Sequence, residues 1–341
     1  MHFKFVLIFV FLAHVFSFAQ DVEPLILKGS TLIEDEKYEE ALKVFEEVRA
    51  IDSLNLDANF YLGLANFHLK QYPLAIDFFN KAQKINELDT DALYYLGLSY
   101  GYLNDFENVI ENFKKLLKIS PNDPDADFYL GVAYYRTGDY ESSIKQMDNA
   151  LQKFPEEPDA HYQRGLSYYA SQQYETALED LSKAMSLGYK EPEVFFHSGM
   201  ALYYLGEFEK SIPYLSKSLE KNSQDWLSFF HRGYAYSMNE QFTDAIKDFT
   251  SCLEINAQYI DAIYGRGLSY MMTGQFESAI KDFDSITEKA SNPEEIDFIF
   301  VDRALAKKAL KDNDGACKDL TKALEYKNDE AQELFDKICK D

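Results

Sequence analysis

The chain has 341 residues, 34 of them basic and 58 acidic, giving a formal charge of −24, with 46% hydrophobic and 16% aromatic side chains. The apolar content argues against a disordered chain. The acidic excess argues against nucleic acid and anionic membrane surfaces, which are bound by clustered Lys and Arg.

At the N-terminus, His2 and Lys4 precede an apolar run from Phe5 to Phe16, and Ser17-Phe18-Ala19 places small residues before a junction. Residues 1–19 are expected to be a secretory signal peptide cleaved between Ala19 and Gln20. The run is interrupted by His14 and is short of the roughly 20 residues that span a bilayer. No Cys follows it to carry a lipid. The expected address is exported, with the periplasm preferred over secretion or a peripheral envelope site.

From there the chain repeats. Gly29, Gly63, Gly97, Gly131, Gly165, Gly199, Gly233 and Gly267 stand 34 residues apart, and Ala304 holds a ninth equivalent position. Nine residues after each glycine comes an aromatic (Tyr38, Tyr72, Phe106, Tyr140, Tyr174, Phe208, Phe242, Phe276). Twelve after it comes a small or short residue (Ala41, Ala75, Val109, Ser143, Ala177, Ser211, Ala245, Ala279). A fixed period of this length means stacked copies of one supersecondary unit. Leu93, Leu96, Gly97 and Tyr100 lie on one face of a helix. Gly138-Asp139, Gly206-Glu207 and Gly274-Gln275 suit a tight turn, and a second amphipathic run begins at the aromatic. The unit is an antiparallel helix pair that buries its apolar face only by stacking on its neighbours. The glycine is expected to let the small residue of the second helix approach the first helix's backbone.

The Leu-Gly-x-x-Tyr core, the middle aromatic, the Ala and a trailing Phe (Phe45, Phe79, Phe113, Phe249, Phe283) resemble the tetratricopeptide repeat from about Val22 to the C-terminus. The resemblance implies an all-α, right-handed α-solenoid forming a single domain over residues 20–341. Its nine helix pairs fall near 22–55, 56–89, 90–123, 124–157, 158–191, 192–225, 226–259, 260–296 and 297–328, with a capping helix at 329–340. Pro124, Pro158 and Pro192 suit first helical positions. The three extra residues before copy nine fall in the loop 290–294.

One feature departs from the common pattern. The residue before the glycine is Leu62, Leu96 or Leu130 in copies two to four, but Arg164, Arg232, Arg266 or Arg303 in copies five, seven, eight and nine. Sixteen residues after each arginine stands Asp180, Asp248, Asp282 or Asp319. A charge-assisted bridge between the two helices of each such copy is expected.

In the resembled family the first helices line a concave surface where partners lie. The corresponding residues are Phe60, Tyr94, Phe128, Tyr135, Tyr162, Tyr169, Phe196, Tyr203, Phe230 and Tyr264, with an acidic margin from Glu23, Asp57, Asp91, Asp125, Asp159, Glu193 and Asp261. Such a face suits a protein or peptide partner that is apolar and carries some Lys or Arg, although the rings could equally pack between copies and the acids serve the helix dipole. Some relatives clamp a C-terminal carboxylate with Lys and Asn. The equivalent places here hold Ile26, Ser30, Tyr61, Asp91 and Tyr95, so that activity does not carry over.

No phosphate-binding loop, nucleophile elbow or zinc-type Cys spacing is present in the sequence, and no cofactor or metal is expected. His197 and His231 share one repeat position, two ligands without a third. Cys252 is expected to stay a buried thiol, and Cys317 and Cys339 could bridge the last pair to the cap in an oxidising compartment. The function expected is a non-catalytic scaffold that binds partners in the groove, in envelope complex assembly. The alternative is a structural subunit of a fixed envelope machine, using its edges and outer face.

Overall fold

The computed structural model describes residues 22–123, 125–288 and 293–340. The expected leader with its Ala19–Gln20 junction, Pro124 and most of the 290–294 insertion lie outside the described residues. Every regular element described is a helix. The helices group into two compact units, one ending at Ser171 and one beginning at Gln172.

The first unit holds α1 (22–34), α2 (Tyr38–Ile51), α3 (Leu56–His68), α4 (Tyr72–Ile85), α5 (Thr90–Tyr102), α6 (Phe106–Ile119), α7 (Ala126–Arg136), α8 (Tyr140–Lys153) and α9 (Pro158–Ala170). The second holds α10 (Tyr174–Ser186), α11 (Pro192–Tyr204), α12 (Phe208–Lys221), α13 (Trp226–Met238), α14 (Phe242–Ile255), α15 (Ile260–Met272), α16 (Phe276–Thr287), a 3₁₀ turn (Pro293–Ile296), α17 (Asp297–Ala309), α18 (Asn313–Glu325) and the cap α19 (Asp329–Cys339). Within each unit consecutive helices pack on one another, as the period requires. Pro158 and Pro192 open their helices as expected, whereas α7 starts at Ala126, its amide accepted by the Asp123 carboxylate at 2.9 Å.

The packing corrects the expected role of the glycine. The residue facing it is the large side chain sixteen positions on, not the small one twelve on. A Cβ on Gly29 would stand 2.5 Å from Phe45, on Gly63 2.6 Å from Phe79, and on Gly97 2.5 Å from Phe113. Met147 faces Gly131 and Leu215 faces Gly199 in the same way. The glycine is thus the floor of a socket for the second helix's largest core residue. Phe45, Phe79, Phe113, Phe249 and Phe283 are fully buried there.

Seven residues after each glycine the backbone enters the left-handed region. Gly138, Gly206 and Gly274 do so freely, while Glu36, Lys70, Asn104, Gln172 and Glu240 do so with side chains, as does Lys311, seven residues after Ala304 of the ninth copy. A Schellman closure accompanies it: the Lys37 amide donates to the Leu32 carbonyl and the Gln275 amide to that of Tyr270, each at 2.8 Å. The closed helix end holds this strained residue in place.

Two kinds of junction hold successive copies. In the first unit Phe45 stacks on Tyr61, Phe79 on Tyr95 and Phe113 on Tyr129, with centroids 4.9, 5.7 and 5.5 Å apart. In the second unit the expected ion pairs form. Arg232 grips Asp248 through Nε and Nη2 at 2.6 and 2.7 Å, Arg266 grips Asp282 at 2.9 and 2.8 Å, and Arg303 grips Asp319 at 2.9 and 2.6 Å. The sequence reading confined each pair to one copy, but Nη1 reaches further. It donates to Ser216, Thr250 or Thr287, sixteen residues earlier on the preceding second helix. Each arginine therefore ties three helices. Arg164 extends the same donor to Asp148 at 2.6 Å, and Asp180 is buried in the second unit. Cys317 and Cys339 are joined, stapling α18 to α19, and Cys252 is buried, its thiol pushed up to about 11 by that burial.

Burial raises the Asp248 carboxyl above its ordinary range in spite of the Arg232 guanidinium, so the pair's attraction is partly spent on desolvation. Asp248→Ala is therefore expected to destabilise by about 3 kcal/mol, because it strands a buried guanidinium. The double replacement Arg232→Leu with Asp248→Leu is expected to cost clearly less. Chemical denaturation of the three proteins checks this, and equal losses in single and double variants would contradict it.

Candidate functional site

Seven of the first helices expose an acid at or next to their start. Glu23, Asp57, Asp91, Asp125, Asp159, Glu193 and Asp261 are all solvent-exposed. The rings expected to line a concave face are mostly half-buried and already engaged. Phe60 packs on Phe79, Tyr94 on Phe113, Phe230 on Phe249 and Tyr264 on Phe283, with centroids about 6 Å apart. Tyr264 also donates to Asp302 at 2.8 Å. Tyr135 lies 5.7 Å from Tyr140, and Phe196 packs against His197 and His231. Tyr169 is half-buried on α9. Tyr162 is a correction: at 6% exposure it belongs to the core and offers no surface to a partner. Phe60, Tyr94, Phe230 and Tyr264 share one reason: three residues before the glycine, each side chain faces the large residue of the second helix that fills the socket.

Phe128 is different. It lines an open cleft of about 510 Å³ in the first unit, between the N-terminal ends of α7 and α9 and the C-terminal end of α8. Tyr129, Phe154, Ala150 and Ala160 complete its apolar lining, and Asp125, Glu157 and Asp159 supply carboxylates. All three acids are exposed, and Phe154 shows nearly half its surface. Close by, Lys153 donates to Asp127 at 2.6 Å and to the Pro121 carbonyl at 2.9 Å, securing the start of α7. The sequence reading missed that buried pair. The charge left facing the cleft is negative.

It also missed a set of exposed rings. Tyr72 stacks face to face on Tyr102 at 4.6 Å, Tyr174 on Tyr204 at 5.0 Å, and Tyr38 on His68 at 4.7 Å. Tyr102 and Tyr204 are 61% and 52% exposed. The constant 30-residue separation of these partners was a usable signal, hidden because the two rings belong to different copies.

Among the described residues no group of three or more His, Cys, Asp or Glu could hold a metal ion, and no helix is long and apolar enough to cross a membrane. His231 sits between Phe196, Tyr203 and Phe230 with a buried Nδ1 that has no hydrogen-bond partner, and burial lowers its pKa to about 4. His197 is lowered to about 4 by the same cause.

The repeated helix pairs agree with the comparisons. Tetratricopeptide repeat models match residues 26–90, 198–260 and 261–292, and a model described as anaphase-promoting complex (cyclosome) subunit 3 matches 103–184. The chain belongs to the tetratricopeptide repeat family, and its fold is an all-α tetratricopeptide solenoid. The C-terminal part of a repeat-containing protein from Cytophaga hutchinsonii is similar over 70% of this chain and 98% of its own, at 20% identity and a TM-score of 0.58. YrrB, described as a repeat protein with an unusual peptide-binding site, is similar over 59% of this chain and 99% of its own, at 23% identity and a TM-score of 0.50. No curated protein matches the chain. Proteins of this family are generally non-catalytic scaffolds for protein contacts.

The two histidines set a pH dependence. Each has a folded pKa near 4, against about 6.5 when unfolded. The unfolded chain then binds more protons between those values, so stability is full above pH 6.5 and falls as pH drops toward 4. Thermal melts across that window should show a decline that His231→Phe makes shallower. A variant whose decline matches the wild type would contradict the burial argument.

Proposed function

We propose that this protein is an exported, non-catalytic scaffold that takes peptide segments of partner proteins in the acidic, aromatic cleft of its first unit. The carrying observation is the combination of Phe128, Tyr129 and Phe154 with Asp125, Glu157 and Asp159 around one opening. An apolar floor gives area to bury, and carboxylates at the rim favour Lys or Arg beside the buried side chain. The net charge of −24 draws such partners from a distance. Export rests on the apolar leader of residues 5–16, and assembly of an envelope complex is the setting that leader suggests.

A second reading is favoured by the exposed stacks Tyr72–Tyr102 and Tyr174–Tyr204. Rigid, solvent-facing tyrosine pairs are good anchors for a flat interface. They would serve a structural subunit held by its edges.

The test is the triple variant Asp125→Lys, Glu157→Lys and Asp159→Lys. Because these acids stand at the N-termini of α7 and α9, a loss of about 1–2 kcal/mol is expected, and circular dichroism checks that the variant is folded at the assay temperature. Fluorescence anisotropy with labelled synthetic peptides carrying aromatic and lysine residues should show micromolar-range binding to the wild type, weakened by salt, and a loss of roughly tenfold or more in the triple variant. Equal binding by both proteins would remove the acidic cleft from the account. Export is tested separately by intact mass of the protein produced with its leader in a Gram-negative host. A mature chain beginning at Gln20 in the periplasmic fraction is expected, and a cytoplasmic chain retaining residues 1–19 would contradict it.

A further inference from the structure

Four residues after the repeat glycine, most copies carry a bulky side chain: Ile33, Phe67, Tyr135, Tyr169, Tyr203 and Met271. Where that residue is a ring, its surroundings are fixed by the repeat. Phe67 packs on Tyr72, Tyr95 and Tyr102, with centroids 5.8, 5.3 and 5.7 Å away. Tyr203 packs on Phe208, His231 and Tyr234 at 5.4, 5.2 and 5.5 Å. The neighbours are the ring that opens the following helix and residues of the next copy's first helix.

Copy three has Gly101 at this place. The register neighbours of the missing side chain are Phe106, Tyr129, Val132 and Arg136; the first three line a hollow of about 270 Å³, and Arg136 lies over the Phe106 ring at 5.1 Å. Val109 and Phe113 form further wall. A Cβ on Gly101 would meet only Val109, at an ordinary 3.8 Å. Unlike the socket glycines, Gly101 thus has no packing reason to lack a side chain, and glycine is a poor choice inside a helix. Ser237 is the other small residue in this register, and there the hydroxyl is engaged with Ser269 at 3.2 Å.

The size is sufficient, since an apolar cavity of about 150 Å³ admits a benzene ring. Tyr102, exposed beside Gly101, marks the mouth. Tyr129 lines both this hollow and the acidic cleft of Asp125, Glu157 and Asp159. The two recesses share one wall.

We propose that the Gly101 hollow is an anchor pocket for one aromatic side chain of a partner's peptide segment, and that a Lys or Arg of the same segment meets the carboxylates beyond Tyr129. The ring enters where the repeat would otherwise place its own. The proposal rests on the peptide-binding reading above and adds which side chain is selected. An aromatic anchor without a nearby cation loses the charge contact, and a cation without the anchor loses the buried area.

The test uses the full chain and Gly101→Phe, which supplies the missing ring from within and is expected to melt at or above the wild-type temperature. The probe is a labelled synthetic peptide with one Phe near two lysines, beside the same peptide with that Phe replaced by Ala. Wild type should prefer the Phe peptide by at least about tenfold, and Gly101→Phe should bind both at the weaker level. If Gly101→Phe keeps the preference while the Asp125, Glu157 and Asp159 reversal abolishes binding, the pocket is wrong and the acidic cleft stands. If neither change affects binding, both are wrong. A concentration-dependent dimer that Gly101→Phe abolishes would place a second copy in the hollow and overturn the partner assignment. As a measurement that does not rely on the variant's folding, p-cresol titrated into the wild type should shift the methyl resonances of Val109 and Val132. Unmoved resonances would overturn the pocket.

Discussion

The structure depends on a steric exclusion repeated along the chain: a first-helix glycine lies so close to a buried side chain of the second helix that no Cβ fits between. Phe45, Phe79, Phe113 and Phe283 occupy this socket in four copies, Phe249 in a fifth at a slightly looser 3.1 Å from the Cβ site of Gly233, and Met147 and Leu215 in two others. Close-packed interiors do not tolerate an added carbon at such a distance without displacement. The glycine thereby sets how closely the two helices approach. That approach fixes the turn between them, where a left-handed residue and its Schellman bonds recur whether or not a glycine is available. A glutamate or lysine in that conformation is unfavourable by about 1 kcal/mol or more, and the helix pairing overrides it.

On this common hairpin the two units build their junctions from different chemistry. The first unit relies on rings, with each socket phenylalanine stacking on a tyrosine of the next copy. The second adds to its ring contacts arginines that span three helices, each satisfied by an aspartate and by a hydroxyl or carboxylate of the preceding second helix. Stacked rings are adaptable in area and leave hollows where one is absent. A bidentate guanidinium demands a fixed geometry. The two recesses described lie in the unit built from rings.

Much of this was legible in the sequence because a repeat states each position several times. The period gave the helix pairs, and the co-occurrence of Arg232 with Asp248, or Arg303 with Asp319, gave the ion pairs. What a periodic reading handles poorly is direction. For Phe60, Tyr94 and Tyr162 it left an open face and packing between copies side by side, because first-helix rings at constant spacing can point outward or toward a neighbour. Only the structure shows that Phe60 and Tyr94 pack on Phe79 and Phe113 and that Tyr162 is buried. The third reach of each arginine, and the Tyr72–Tyr102 stack, cross from one copy to the next and so lie outside a comparison made within copies. Conversely, Gly101 was visible as an exception, but whether an absent side chain leaves a filled or an open space is a property of the surrounding walls.

The proposed function rests on where the pattern is incomplete. A fully filled stack would offer only edges and exposed stacks, whereas the region from α5 to α9 offers an apolar recess beside exposed carboxylates. The account stands or falls on the socket that orders these helices. The most direct measurement is a double-mutant cycle between Gly267 and Phe283 by chemical denaturation, using Gly267→Ala and Phe283→Leu. Because the added methyl would stand 2.7 Å from the Phe283 ring, the cost of Gly267→Ala should shrink by about 1 kcal/mol or more once that ring is shortened. Additive losses, within about 0.5 kcal/mol, would show that the glycine and the ring do not set the helix approach together.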